Sequence, residues 1–68
     1  MKKLTLTEKT DIRQMLADDN KRIEHARIMG TSVEAANAKR AKHLRPGRLA
    51  SLYQVSISQI LIAGKDLL

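Results

Sequence analysis

Two groups of side chains in this sequence have types and spacings that suit binding to a polyanion. The first is a basic run between residues 39 and 48, with Lys39, Arg40, Lys42, Arg45 and Arg48. The second begins about eight residues later and comprises Ser56, Ile57, Ser58 and Gln59, with Lys65 beyond it. Basic side chains bind phosphates, whereas Ser and Gln can hydrogen-bond base edges and Ile can contact a thymine methyl group. The first group and Lys65 are therefore candidates for phosphate contacts, and the second group carries side chains that are able to contact bases.

The overall composition agrees with a polyanionic partner. The chain has 68 residues and a formal net charge of +6, from 13 Lys and Arg against 7 Asp and Glu. This balance favours DNA, RNA or an acidic protein surface. Tyr53 is the only aromatic residue, and RNA recognition usually relies on stacking bases against aromatic rings. RNA is therefore the less favoured nucleic acid.

Residues typical of enzymes are scattered in this chain. His25 and His43 have no acidic or Cys partner at metal-ligand spacing, and the chain contains no cysteine. The pair Asp18-Asp19 favours a helix bend or a solvated surface over a Mg²⁺ site, and no Gly-rich phosphate loop is present. We therefore expect no enzyme activity, no metal and no cofactor.

Capping signals predict where the first helices begin and end. Thr5 with Glu8 and Thr31 with Glu34 match the capping box, in which two residues three apart satisfy each other's backbone N–H groups. Gly30 suits the end of a helix. These signals predict helices over residues 6–29 and 32–44.

Each of these two predicted helices has an alternative interpretation, which concerns the continuity of the first and the contacts of the second. The apolar stripe of the first includes Ile12, Leu16, Ile23 and Ala26. Asp19 interrupts that stripe, so a bend at 18–20 is the alternative to one long helix. The second helix is rich in Ala and presents a thin apolar face. It either lies loosely on the surface or forms a contact with a second copy.

The remaining residues predict two short helices joined by a tight turn, over residues 46–53 and 56–63. Pro46 suits the first turn of a helix, and Ser56 with Gln59 matches a third capping box. The expected fold is all-α: one small domain, residues 1–68, of about four helices. No apolar run is long enough to span a membrane, and the charged residues after Met1-Lys2-Lys3-Leu4 argue against a signal peptide. We expect a cytoplasmic protein.

The stretch LASLYQVSISQI resembles the helix-turn-helix of DNA-binding proteins, in the short form found in recombinases, phage regulators and accessory domains of phage homing endonucleases. The resemblance covers about residues 45–65 and places Ala50, Val55 and Ile60 at the packing positions. It implies that the second of the two helices lies in the major groove, where Ser56, Ile57, Ser58 and Gln59 would read bases. Gln54 takes the place of the usual Gly, so a left-handed backbone is expected there. The opening LTEKTDIRQML resembles the helix that precedes this motif, with about twenty additional residues between them here.

The resemblance implies a DNA-binding protein, namely a small transcriptional regulator of phage or mobile-element type that binds double-stranded DNA as a dimer. The alternative is a protein-interaction module, such as a small inhibitor or adaptor of a transcription or nucleic-acid-processing protein. Its interface would be the apolar C-terminal residues Leu61, Ile62, Leu67 and Leu68. A steep loss of affinity with salt would distinguish DNA binding from such an apolar contact.

Overall fold

A computed structural model describes residues 2–68 of the chain, and in this range the regular structure is entirely helical. Four α-helices follow one another: α1 at Leu6–Met29, α2 at Ser32–Ala36, α3 at Pro46–Tyr53 and α4 at Ile57–Ala63. A short 3-10 helix, Lys42–Leu44, precedes α3. The expectation of an all-α chain with about four helices is confirmed.

The two N-terminal capping boxes form as predicted. The Glu8 N–H donates to Thr5 Oγ1 at 3.1 Å, and the Thr5 N–H donates to Glu8 Oε1 at 3.0 Å. The same reciprocal pair joins Thr31 and Glu34 at the start of α2, at 3.2 and 3.3 Å. Each box satisfies backbone N–H groups that have no partner within the first turn of a helix. These local bonds therefore fix the first residues of α1 and α2.

Helix α1 runs for 24 residues without a break, as predicted over residues 6–29, and the alternative of a bend at 18–20 is wrong. Asp19 is buried within the helix instead of interrupting it, because Arg22 and Arg40 pair with its carboxylate. Ile12 and Leu16 are fully buried, but Ile23 on the same stripe is only half-buried. The second half of α1 extends beyond the core and contacts α2, giving a molecule that measures 44 × 18 × 15 Å.

The single helix predicted over residues 32–44 is wrong. Helix α2 ends at Ala36, and residues 38–41 are not helical. Helical structure resumes only as the 3-10 helix Lys42–Leu44. A continuous helix would use the Ala41 N–H for a bond to the carbonyl four residues earlier. Here that N–H donates to the buried carboxylate of Asp19 at 3.2 Å. The tertiary contact replaces the helical one, and the Ala-rich face that was expected to be continuous is divided.

The core lies where α3, α4 and the 3-10 helix pack against the first half of α1. Its buried residues are Leu4, Ile12, Leu16, Leu44, Leu49, Ala50, Val55 and Ile60. Gln54 has φ 57° and ψ 45°, the left-handed conformation expected at this position. The Val55 N–H donates to the Ala50 carbonyl at 3.0 Å, which closes the turn between α3 and α4. This turn sets the angle at which α4 leaves α3.

Candidate nucleic-acid interface

Helix α4 presents one exposed face, opposite the side that packs into the core. Ile60 is fully buried, as is Leu49 of α3, and the neighbouring Ala50 is buried as well. The exposed residues of α4 are Ile57, Ser58, Leu61 and Ile62, and Lys65 in the turn that follows is also exposed. Since residues four apart share a helix face, they form two adjacent rows, Ile57-Leu61-Lys65 and Ser58-Ile62. A macromolecule that contacts α4 therefore meets one hydroxyl, three aliphatic side chains and one ammonium group.

Gln59 has a different role from the one predicted. Its amide oxygen accepts the Leu4 N–H at 3.1 Å, and its amide nitrogen donates to the Lys2 carbonyl at 3.1 Å. The capping box expected from Ser56 and Gln59 is therefore absent, and Ser56 Oγ lies 3.0 Å from Ser58 Oγ instead. Both polar ends of the Gln59 side chain are occupied, so it is not free to read a base edge.

Four of the predicted phosphate-binding residues on the basic run are exposed to solvent. They are Lys39, Lys42, Arg45 and Arg48. Lys42 belongs to the 3-10 helix, Arg45 is the N-cap residue of α3, and Arg48 lies in its first turn. These elements pack against one another, so the charges are carried at the N-terminal end of α3. The arrangement leaves their ammonium and guanidinium groups accessible to a polyanion.

Arg40, the remaining basic residue of that run, is partly buried. Its guanidinium donates to Asp19 Oδ2 at 3.0 Å and to the backbone carbonyls of Leu16 and Leu67 at 3.3 and 3.0 Å. The same group also contacts the Asn20 side chain, and only 20% of the Arg40 side chain is exposed. The prediction that Arg40 binds phosphate is therefore replaced by a structural role. It links α1 to the segment after α2 and to the C-terminal turn.

The carboxyl group of Asp19 makes this network sensitive to pH. Burial by itself raises the pKa of Asp19. Hydrogen bonds from Arg22, from the N–H of Ala41 and from Arg40 lower it by more, so the pKa in the folded protein lies below the ordinary value of 3.8. A carboxyl group with a lowered folded-state pKa stabilises the fold above its unfolded-state pKa, and this stabilisation is lost as the pH falls through the folded-state value.

We therefore expect the free energy of unfolding to fall as the pH drops below about 4, partly because Asp19 takes up a proton. Asp19→Asn should flatten this fall, which urea unfolding between neutral and acid pH would measure. Asp18→Asn is a matched control, because the neighbouring Asp18 is exposed. An unchanged pH dependence in Asp19→Asn would show that the network does not depend on the charge of this residue.

Three of the four apolar residues predicted for a protein interface are exposed, and the fourth is half-buried. Ile62 is 76% exposed, and Leu61 and Leu68 are each 46% exposed. Leu67 is half-buried and packs against the core, so it is not available to a partner. The sequence interpretation omitted Leu52 of α3, which is 70% exposed. Leu52 lies one helical turn after the buried Leu49, so its spacing favoured a core position.

Two further cations lie beside α4 and were not predicted. Lys3 and Lys9 line an open groove together with Leu4, Gln59, Ile62 and Ala63. Lys3 belongs to the segment before α1, and Lys9 to its first turns. They precede the start of α4 by 54 and 48 residues in the sequence, so no local pattern connects them to it. A capping box at Thr5 marks where α1 begins, but it does not indicate what the preceding residues contact.

Comparison with known proteins gives no relative from which a role can be transferred. No protein-family model matches the chain, and no curated protein or solved structure matches it at a significant level. Within residues 2–68, no helix has the length and apolar character needed to cross a membrane. The same residues contain no cluster of three or more His, Asp and Glu side chains placed to hold a metal ion.

Proposed function

We propose that this chain is a DNA-binding protein in which α3 and α4 act as a helix-turn-helix and α4 enters the major groove. The observation that carries the proposal is the left-handed turn at Gln54 between two short helices anchored by buried Ala50, Val55 and Ile60. A helix-turn-helix needs such a turn because it holds the second helix at a fixed angle, with one face free for base edges. The proposed role is that of a small transcriptional regulator of phage or mobile-element type.

Phosphate contacts would supply most of the affinity. Lys39, Lys42, Arg45 and Arg48 are exposed on or just before α3, and Lys65 follows α4. Arg45 and Arg48 are the central pair, since α3 is the helix that would cross the DNA backbone. These contacts fix the register of the protein on the duplex and are independent of base sequence.

Base contacts would come from the exposed face of α4. Ser58 can hydrogen-bond several base edges, and Ile57 can contact a thymine methyl group. Ser56, also predicted to read bases, is half-buried and lies against Ser58, so its reach is shorter. Leu61 and Ile62 add apolar surface but no hydrogen bonds. With so few polar groups on α4, we expect modest sequence specificity.

Salt dependence of binding to a random-sequence duplex is the direct test. Five phosphate contacts predict a slope of log K against log salt of about −4 or steeper, which corresponds to a loss of about 10²–10³-fold in affinity between 50 and 200 mM salt. Fluorescence anisotropy with a labelled duplex would measure it. Absence of binding at low salt, despite a net charge of +6, would contradict the proposal.

The exposed apolar residues of α3 and α4 favour a second candidate function, a module that binds another protein. Leu52, Ile57 and Ile62 are 70%, 52% and 76% exposed, an uncommon concentration of aliphatic surface on two short helices. A partner held by this surface would bind with little dependence on salt. An inhibitor or adaptor of a nucleic-acid enzyme would bind in this way. The same titration therefore separates the two candidates.

Dimerisation is also part of the proposal, because two copies would double the phosphate contacts on one duplex. The half of α1 that extends beyond the core ends in exposed apolar residues, Ile28 and Met29, and Val33 follows in α2. Burial of these side chains between two copies would offset the small size of the core. Light scattering on the free protein shows whether a dimer forms before DNA is added.

A further inference from the structure

The residues before α1 form a short arm that is fixed against α4. The Leu4 side chain is buried in the core, at 6% exposed. On either side of it, the Lys2 carbonyl and the Leu4 N–H bond to the two ends of the Gln59 amide, both at 3.1 Å. The Thr5 capping box then begins α1 directly. Three separate contacts thus hold Lys2, Lys3 and Leu4 beside α4.

This arm places unpaired positive charge next to the exposed face of α4. Lys3 and Lys9 line the groove between the arm, α1 and α4, and Ile62 of the exposed face lines the same groove. Within residues 2–68, neither lysine has a carboxylate within ion-pair distance. Both ammonium groups are therefore available to an anion that passes over Ile62.

The neighbouring cations differ, because their charges are already paired. Lys2 lies 3.1 Å from Glu8. The Arg13 guanidinium donates two hydrogen bonds to Asp66, at 2.6 and 2.8 Å, and this bidentate pair lowers the pKa of Asp66 to about 2. Since Asp66 stays ionised at neutral pH, Arg13 is largely neutralised. Lys3 and Lys9 therefore differ from Lys2 and Arg13 in having no carboxylate within ion-pair distance among residues 2–68.

We propose that Lys3 and Lys9 form a second phosphate-binding position on DNA, separate from Arg45 and Arg48, and that Gln59 positions it by holding the arm against α4. The inference rests on the proposed function, because it requires α4 to lie on the duplex. A helix about 10–12 Å across fills the major groove, so backbone phosphates pass along both of its edges. Gln59 and Ile62 lie on one edge of α4, and Ile57 and Leu61 lie on the other. The arm supplies charge to the first of these edges.

The test compares two double variants that remove the same charge. Lys3→Gln with Lys9→Gln should weaken binding to any duplex about 10- to 100-fold near 0.1 M salt and make the salt slope shallower by about 2. Lys21→Gln with Arg27→Gln is the matched control, because both residues are exposed on the half of α1 beyond the core. Urea unfolding of both variants verifies that the fold is unchanged.

Gln59→Ala tests the positioning role. It should weaken DNA binding in the parent chain, since the arm is released and must be ordered again on binding. In the Lys3→Gln, Lys9→Gln background it should have no further effect, because the arm then carries no free charge to position. An undiminished effect in that background, or a changed base preference, would overturn the positioning role and indicate a direct contact with a base.

The outcomes separate this inference from the proposed function. If the Lys3, Lys9 variant binds as its control does while Arg45→Gln with Arg48→Gln is weakened, the second phosphate position is wrong and the helix-turn-helix proposal stands. If the parent chain binds no duplex at low salt, the proposed function fails, and the inference fails with it. Equal losses from the two pairs, additive when combined, are the expected result for separate phosphate positions.

Discussion

Replacement of Arg40 by methionine is expected to lower the free energy of unfolding by about 2–4 kcal/mol. The Asp19 side chain is only 5% exposed, and Arg40 is one of the two cations that compensate its charge. Without Arg40, Asp19 keeps one cation, the more exposed Arg22, together with the Ala41 N–H. The Leu16 and Leu67 carbonyls also lose a donor. Removal of one member of a buried ion pair lowers the free energy of unfolding by more than the intact pair adds to it, because a buried charge is left without a partner.

The loss is large for a chain of this length. A domain of 68 residues has a total stability of about 3–10 kcal/mol at 0.05–0.15 kcal/mol per residue. We therefore expect Arg40→Met to be partly unfolded at 25 °C, which circular dichroism during urea titration would measure. Arg27→Met is the matched control, since Arg27 is exposed on α1. Equal stability of the two variants would show that the network contributes little.

A double variant distinguishes a lost charge partner from lost packing. Asp19→Leu removes the buried carboxylate, so Arg40→Met in that background no longer leaves an unpaired charge. We expect the two changes together to destabilise the protein by less than the sum of the single changes, since the residues are in direct contact. A strictly additive result would contradict an electrostatic role for Arg40.

Replacement of Arg45 and Arg48 by glutamine is expected to impair the proposed function as strongly as replacement of Lys3 and Lys9. Both side chains are exposed at the N-terminal end of α3, so fold stability should change little. Loss of two phosphate contacts should weaken DNA binding about 10- to 100-fold near 0.1 M salt and reduce the salt slope by about 2. The weakening should be the same for every duplex, because phosphates carry no sequence information.

Fluorescence anisotropy at several salt concentrations measures both quantities in one series. Lys21→Gln with Arg27→Gln again removes two charges and controls for the general effect of net charge. Ser58→Ala, on the exposed face of α4, should instead change the relative affinity for different sequences. If the Arg45, Arg48 variant bound DNA as tightly as the parent, the assignment of α3 as the helix that crosses the backbone would be wrong.

The features that could be predicted from the sequence include those whose hydrogen bonds close within a few residues. The capping boxes at Thr5 and Thr31 join residues three apart, so the starts of α1 and α2 could be predicted. The left-handed conformation of Gln54 was expected from the resemblance to a helix-turn-helix, in which Gly usually holds this position. The same resemblance placed Ala50, Val55 and Ile60 at packing positions, and all three are buried.

Only the tertiary structure decided the roles of residues whose partners are distant in the sequence. Arg40 belongs to a basic run, yet its partners Leu16, Asp19 and Leu67 lie at least 21 residues away. Gln59 matches a capping box, yet it bonds across 55 and 57 residues to the arm. The capping box would give the Gln59 side chain one hydrogen bond, whereas the fold gives it two. The basic run predicts a solvent-exposed Arg40, whereas the fold gives its guanidinium several partners in a partly buried position. Because unsatisfied polar groups are costly when buried, the hydrogen bonds to distant residues form in place of the contacts that the local pattern predicted.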